Sequence, residues 1–183
     1  MLLVLVRSLF TLVLLLLLNG ALYAQGSLAK LDEQNGWQDA PFEQSDTAFE
    51  NLVSTNCSAA ESTGVSCYTR RTDSLKLGTA TLDTVQYTFY NHSLAAVTVT
   101  LKGTQNIAAF CKVLQEAYGA GNPSDEGPGA VEWDGERVHM GYTVVSGSSK
   151  YEPVLRLVLR SKMQMARYQA DQLVARRSIT QGL

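Results

Sequence analysis

The sequence predicts an α+β protein with a mostly antiparallel sheet of about six strands and two or three helices packed on one face. Residues 81–101 contain two runs of alternating apolar and polar side chains, separated by turn formers at Asn91–Ser93, and this pattern indicates a β-hairpin. A run with apolar residues three and four apart begins at Thr104 and indicates a helix. Asp134-Gly135 lies between two more strand-like runs, and this dipeptide favours a second hairpin.

The first 24 residues have the pattern of a signal peptide. Arg7 precedes an apolar run that ends in small residues, the last of which is Ala24. The uncharged stretch 8–24 is short for a bilayer span, which favours cleavage after Ala24 over a retained anchor. We therefore expect residues 1–24 to be removed, leaving a mature chain that does not span a membrane and is periplasmic or secreted.

The composition and length of the remaining chain limit which partners and how many domains are expected. Without residues 1–24 the chain has 14 basic and 17 acidic residues, a net charge of −3 and no basic block, which argues against nucleic acid as a partner. Residues 25–40 are polar and weakly patterned, so we expect a flexible lead-in. A single α+β domain is expected over 41–161, followed by a C-terminal helix and tail over 162–183.

The chain has three cysteines. Cys57 and Cys67 flank a polar loop, and an exported protein meets an oxidising compartment, so we predict a disulfide between them. Cys111 lies on the apolar stripe of the predicted helix, where a small buried hydrophobe is favoured over a reactive thiol. Three cysteines and two histidines at these spacings do not form a zinc site, and we expect no metal and no cofactor.

The elements before the central hairpin are short. Thr47 and Glu50 have the spacing of a capping box, which predicts a helix over 47–54. Strand-like runs follow over 65–71 and 74–77, and a glycine then marks a break.

The elements after the hairpin begin with the helix at Thr104, which should end at Gly119 because glycine accepts the left-handed conformation. A loop rich in glycine and proline is predicted over 119–129. The second hairpin follows over 130–145, and a nearly continuous apolar run over 151–159 suggests a strand buried on both faces or close to it. The stripe of the helix consists of Ile107, Phe110, Cys111, Leu114 and Tyr118.

The same order of elements is predicted twice along the chain. A helix, a polar loop and three strands are expected over 47–101 and again over 104–161. This recurrence suggests two similar halves, and it rests on element order alone.

The last predicted element is a helix over 162–177, with cations in its last turn, where they suit the helix dipole. Its narrow apolar stripe has two interpretations: the helix docks on the sheet, or it extends away to pair with a partner. Docking is favoured. The stripe consists of Met163, Ala166, Ala170, Leu173 and Val174.

Several segments together resemble a loose group of small exported bacterial proteins: PFEQSDTAFENLV, LGTATLDTVQYTFYNHSLAAVTVTL, LQEAYGAG and VEWDGERVHMGY. The group shares a Pro-Phe-Gly helix start, a strand, a Tyr-x-Phe-Tyr hairpin, a helix ending in Tyr-Gly and a hairpin containing tryptophan. The resemblance covers 41–161, and the chain departs from it at Glu43, where the group usually has glycine. It implies an exported α+β protein and, since the group has no established activity, assigns no catalytic residue. More distantly, the helix-then-hairpin units are similar to the small lipoprotein of outer-membrane assembly and to β-lactamase inhibitor proteins, which are binders rather than enzymes.

Few residues are candidates for catalysis or metal binding. The chain contains no Gly-x-Ser-x-Gly, no P-loop and no dinucleotide fingerprint, and His92 and His139 are expected to face solvent. Glu132, Asp134 and Glu136 alternate around the second turn; they could hold calcium in a continuous strand, but polar shoulders of a hairpin turn are the favoured interpretation. The sequence therefore favours a binding protein over an enzyme.

The candidate binding site lies on the sheet face that the first helices leave open. The apolar side of the first hairpin strand matches the helix stripe, so Tyr90, Gln86 and Thr88 should point to the opposite face, near the Asp134 turn. Replacing Tyr90 by alanine is then expected to change stability within about 1 kcal/mol. We expect an exported non-enzymatic protein that binds another envelope protein or component or a small ligand. The alternatives are a structural subunit of an envelope assembly, joined through the C-terminal helix, and a hydrolase with an unrecognised site.

Overall fold

The computed structural model describes residues 28–57, 63–146 and 152–181, so the expected signal peptide lies outside the described residues. The helices are α1 (28–34), α2 (Thr104–Tyr118) and α3 (Lys162–Gln181), with a 3-10 turn over Asp46–Ala48. The strands are β1 (Gly36–Trp37), β2 (Ala40–Pro41), β3 (Leu52–Thr55), β4 (Val65–Arg70), β5 (Lys76–Leu77), β6 (Ala80–Thr81), β7 (Thr84–Tyr90), β8 (Ser93–Lys102), β9 (Asn122–Pro123), β10 (Val131–Asp134), β11 (Val138–Ser146) and β12 (Pro153–Ser161).

An antiparallel sheet of eight strands forms the centre of the protein, in the order β3-β4-β7-β8-β12-β11-β10-β9. The predicted α+β class is confirmed, with eight strands in the sheet where about six were expected. Two runs of four strands meet at the antiparallel pair of β8 and β12. The second run follows α2, as the two-half order predicts, whereas the helix that precedes the first run is α1.

The central hairpin forms as predicted. β7 and β8 are joined by Asn91 and His92, whose φ angles of 46° and 65° are the left-handed values that a tight two-residue turn requires. A bulge interrupts the ladder, because Thr88 pairs with Ala96 while the next residue of β7 pairs with Leu94. The bulge inserts one extra small residue into β8.

The core lies between one face of this sheet and α2. Val85, Tyr87 and Phe89 of β7 are buried there together with Phe110 and Leu114 of α2, so the predicted match of strand and helix is confirmed. α2 ends where expected, with a φ of 83° at Gly119. Replacing Phe110 with alanine in such a core typically costs about 3–5 kcal/mol.

β12 has one buried face, and the expectation of a strand buried on both faces is wrong. Leu155, Leu157 and Leu159 are fully buried against the core. The alternate face carries Arg156 and Arg160, which are exposed or half-buried. The strand lies in the middle of the sheet, and the period of two therefore separates its leucines from its arginines.

The predicted helix over 47–54 is wrong. Ser45, rather than Thr47, caps a 3-10 turn of three residues, which ends at Phe49. Asn51 then adopts a φ of 61°, and the following Leu52 begins a strand that pairs with β4. A helix this short has too few hydrogen bonds to offset the free-energy cost of its nucleation. The residues from Leu52 onward therefore pair with β4 as a strand at the edge of the sheet.

Residues 28–40 are not the flexible lead-in that their polar sequence suggests. α1 places Leu31 in the core, and the small hairpin of β1 and β2 buries Trp37 beside it. The carboxylate of Asp32 accepts hydrogen bonds from the backbone N–H groups of Glu136, Arg137 and Val138. This segment is therefore held by the turn between β10 and β11, a partner far away in the sequence.

An ionic network with a buried interior ties this N-terminal segment to the first half of the sheet. Arg70 Nη1 donates to Asp39 at 3.1 Å, and its Nε donates to Asp73 at 2.6 Å. The hydroxyl of Tyr87 also donates to Asp73, at 3.0 Å, and the guanidinium of Arg70 stacks over the Tyr87 ring. Asp73 is almost fully buried, so its charge depends on Arg70 for compensation.

α3 packs on the sheet face opposite α2, so two helices, α1 and α2, share the core face and the last helix covers part of the other. The docking side of α3 carries Gln164 and Tyr168, whereas Leu173 and Val174 of the predicted stripe are 54% and 63% exposed. β12 passes directly into α3, and this exit from the strand sets which side of the helix meets the sheet. Within the described residues, no helix combines the length and the apolar character needed to cross a membrane.

Candidate functional site

A groove of about 210 Å³ lies between α3 and the sheet face opposite the core. Strands β4, β7, β8 and β12 form its floor, α3 covers one side, and the disulfide closes another. The lining is mostly apolar with a few polar side chains, which is the usual composition of small-molecule sites. The lining residues are Cys57, Val65, Cys67, Gln86, Thr88, Tyr90, Ala95, Ala96, Thr98, Arg156, Val158, Arg160, Gln164, Met165 and Tyr168.

Three of the four residues predicted for a binding site line this groove. Gln86, Thr88 and Tyr90 point to the same face because they alternate with the core residues of β7. Gln86 Nε2 donates to the backbone carbonyl of Asn56 at 3.1 Å, which joins the floor to the chain just before the disulfide. Thr88 Oγ1 lies 3.6 Å from the sulfur of Cys67.

Tyr90 contributes to the groove by holding α3 in place. The residue is 7% exposed, its ring meets that of Tyr168 edge-to-face at 5.2 Å, and its hydroxyl donates to Asp171. The hydrogen bond to Asp171 raises the pKa of Tyr90, because the ionised phenolate could not donate. Tyr90 is therefore part of the wall between sheet and helix.

The start of α3 is fixed by a second set of contacts. Ser161 Oγ donates to the carboxylate of Glu43 at 3.0 Å and accepts from the backbone N–H of Gln164 at 3.2 Å. Glu43 adopts a φ of 72°, in the left-handed region that favours glycine. The junction of β12 and α3 is therefore fixed by Ser161 and Glu43, in addition to the contacts of Tyr90 with α3.

Asp134 lies outside the groove. β10 is four strands from β7 in the sheet, a distance of roughly 19 Å, so Asp134 cannot share a small site with Tyr90. Its carboxylate lies 2.7 Å from Lys162 Nζ and 3.2 Å from His139 Nδ1, and the hydrogen bond to Lys162 lowers the pKa of Asp134. These contacts fit a surface ion pair at a turn.

The groove contains residues that the sequence did not reveal as site residues. Gln164 is only 2% exposed, and its side-chain Nε2 has no hydrogen-bond partner in the described parts of the chain. Arg156 and Arg160 reach the groove from β12, and Val158 lies between them. The spacing of the two arginines within VLRLVLR is the signal that could have identified them, since every second residue shares a face.

The cysteines behave as predicted. Cys57 and Cys67 form a disulfide with a Cα–Cα distance of 5.3 Å, and Cys111 is a free, half-buried thiol. Burial raises the pKa of Cys111, although a hydrogen bond with Tyr142 acts in the opposite direction. A thiol with a raised pKa is a poor nucleophile at neutral pH.

The two histidines lie away from the groove. His92 Nδ1 lies 2.8 Å from Asp46 on an exposed turn, and His139 contacts Asp134. His139 is only partly exposed, so it faces solvent less than predicted. Neither histidine bonds to a serine, threonine or cysteine among the described residues. In the same ranges, no cluster of histidine, cysteine or acidic side chains could hold a metal ion.

The fold and the groove define a disulfide-bonded α+β protein with an eight-stranded antiparallel sheet and a small, mostly apolar groove under its last helix. Comparisons of the chain with protein-family models, with curated proteins and with solved structures find no match.

Proposed function

We propose that this chain is an exported, non-enzymatic protein that binds a small ligand in the groove between α3 and the sheet. The observation that carries the proposal is a mostly apolar groove of about 210 Å³ containing the buried, unpartnered amide of Gln164. Export is supported by the apolar N-terminal segment and by the disulfide, which persists in oxidising compartments.

The dimensions of the groove fit a molecule rather than one trapped water. An engineered apolar cavity of about 150 Å³ accepts a molecule of the size of benzene, so the present groove suits a ligand with six to about ten carbon atoms. A buried amide without a partner is destabilising by about 1–3 kcal/mol unless something pairs with it. A ligand with a hydrogen-bond acceptor would supply that partner.

A screen of small molecules by ligand-observed NMR, with a groove-filling variant, tests this proposal. Ala96→Phe places a ring in the groove, because Ala96 is on the floor, where it pairs with Arg160. Ala166→Phe makes the same change on the exposed side of α3 and is the matched control. Ligands should bind the wild type and Ala166→Phe equally and lose affinity for Ala96→Phe; equal binding to both variants would place the site elsewhere.

A structural subunit is the second candidate function, and the exposed distal part of α3 favours it. Leu173 and Val174 are large apolar residues beyond the part of α3 that meets the sheet. Sedimentation velocity of the purified protein tests this candidate: Leu173→Glu should dissociate an assembly that the wild type forms, and a wild type that stays monomeric at all concentrations would exclude self-assembly.

A further inference from the structure

We propose that the groove selects a small amphipathic carboxylate, whose apolar body lies along the sheet and whose carboxylate meets Arg160 and Gln164. This inference rests on the proposed function, since it names the ligand class of the same groove. It is carried by the charge of the lining, by the unpartnered amide and by the order of side chains along the floor.

The charge of the groove is opposite in sign to that of the chain. The chain has a formal net charge of −2, yet the groove lining over the described residues includes two arginines and no acidic residue. The carboxylate nearest to Arg160 is that of Glu126, at 4.0 Å, which is the outer limit of an ion pair. Arg156 is exposed and makes no ion pair with a described carboxylate. The groove therefore attracts anions and repels cations.

The two strongest donors lie at the same end of the groove. Arg160 pairs with Ala96 across the central strands, near the turn between β7 and β8. Gln164 follows four residues later, at the start of α3, and also borders the neighbouring depression beside Tyr90 and Ser93. A carboxylate at this end would accept from the guanidinium and from the amide together, and such charge-assisted bonds are among the strongest in proteins.

Val158 supplies apolar floor next to this end, between Arg160 and Arg156 along β12. Thr98 pairs with Val158, one row along the sheet from the Ala96–Arg160 row, and rows on one face are about 7 Å apart. Met165 of α3 is a further apolar residue of the lining. With the volume of about 210 Å³, this geometry suits a carboxylate with about eight carbon atoms.

Three eight-carbon probes that differ only in the head group test the inference: octanoate, 1-octanol and octylammonium. Calorimetric titration uses the purified protein with its disulfide intact, below the concentrations at which the probes form micelles. Octanoate should bind at least about tenfold more tightly than octanol, the effect of one charge-assisted contact. Octylammonium should bind more weakly than octanol.

Two charge-removing variants on the same strand locate the carboxylate. Arg160→Gln should weaken octanoate about tenfold, to the level of octanol, and leave octanol unchanged. Arg156→Gln is the matched control and should weaken octanoate less than about threefold, because an exposed charge is screened. Neither arginine is buried in the core, so both variants should fold.

The outcomes separate this inference from the proposed function. If the two variants weaken octanoate equally, or if Arg160→Gln weakens octanol as much, the carboxylate does not meet Arg160 and the inference is wrong. If octanol or octylammonium binds as tightly as octanoate, the preference for a carboxylate is wrong, while the groove remains a binding site. If none of the three probes binds, both the inference and the proposed function are wrong.

Discussion

Replacing Tyr90 with alanine tests whether α3 depends on this residue for its place over the sheet. The change removes a nearly buried ring, its edge-to-face contact with Tyr168 and the hydrogen bond to Asp171. Loss of apolar burial on the order of 100 Å² costs about 2.5 kcal/mol. The ring pair and the hydrogen bond contribute about 1 kcal/mol each. We expect the free energy of unfolding to fall by about 4.5 kcal/mol, well beyond the change predicted for an open-face residue.

Urea unfolding measures this loss, and Tyr90→Phe is the matched control. Phenylalanine keeps the ring and removes only the hydroxyl, so its free energy of unfolding should fall by about 1 kcal/mol. Both variants should shift the midpoint with an unchanged slope, which shows that stability rather than compactness has changed. Amide hydrogen exchange should increase along α3 first, because that helix loses its contact. A loss below about 1 kcal/mol for Tyr90→Ala, with normal protection of α3, would refute the docking role of Tyr90.

Three further predictions concern the ionic network, the disulfide and pH. Arg70→Met leaves a buried carboxylate without its cation and should lower the free energy of unfolding by about 3 kcal/mol. Asp39→Asn, at the exposed end of the network, should lower it by less than about 1 kcal/mol. Similar urea midpoints for the two variants would contradict the network. Reducing the Cys57–Cys67 disulfide should lower the free energy of unfolding by about 2–3 kcal/mol. The same urea midpoint with and without reductant would contradict this. The hydrogen bond of Tyr90 raises the pKa of its phenol in the folded state, so its contribution is complete below the unfolded pKa and is lost as pH rises through the folded value. The methyl NMR signal of Met165, which lines the groove, should therefore shift from about pH 10 upward in the wild type. An equal shift in Tyr90→Phe would show that the ionisation of Tyr90 is not its cause.

The parts of the fold that the sequence predicted are those with local signals. The alternation around Tyr87 and the turn at Asn91 define the central hairpin within a few residues of each other. The stripe of α2 and its stop at Gly119 are equally local. The disulfide was predictable because Cys57 and Cys67 flank one short loop.

The parts that it did not predict depend on distant partners. Asp32 bonds to a turn 104 residues later at Glu136, and nothing within residues 25–40 signals this contact. The face of α3 that docks is set by the exit from β12, so Gln164 meets the sheet while Leu173 remains exposed. A helical pattern shows which residues share a face, but not which face another element covers.

The candidate site shows the same division. Gln86, Thr88 and Tyr90 share a face through the period of one strand, and the structure brings them together in one groove. Asp134 is separated from them because β8, β12 and β11 lie between β7 and β10, and no single strand shows the order of the strands in a sheet. Arg160 was missed because Val154 and Val158, on the same face, make the apolar run of β12 nearly continuous.

Mapping of backbone amide shifts by NMR during titration with octanoate tests most directly whether the groove under α3 binds ligand. We predict that the perturbed amides cluster in the groove lining, at Thr88, Ala96, Arg160 and Gln164. Amides near Asp134 should remain unchanged, since that turn lies four strands from β7. Perturbation centred on Asp134, or saturable shifts spread over the exposed end of α3, would contradict a binding site in the groove.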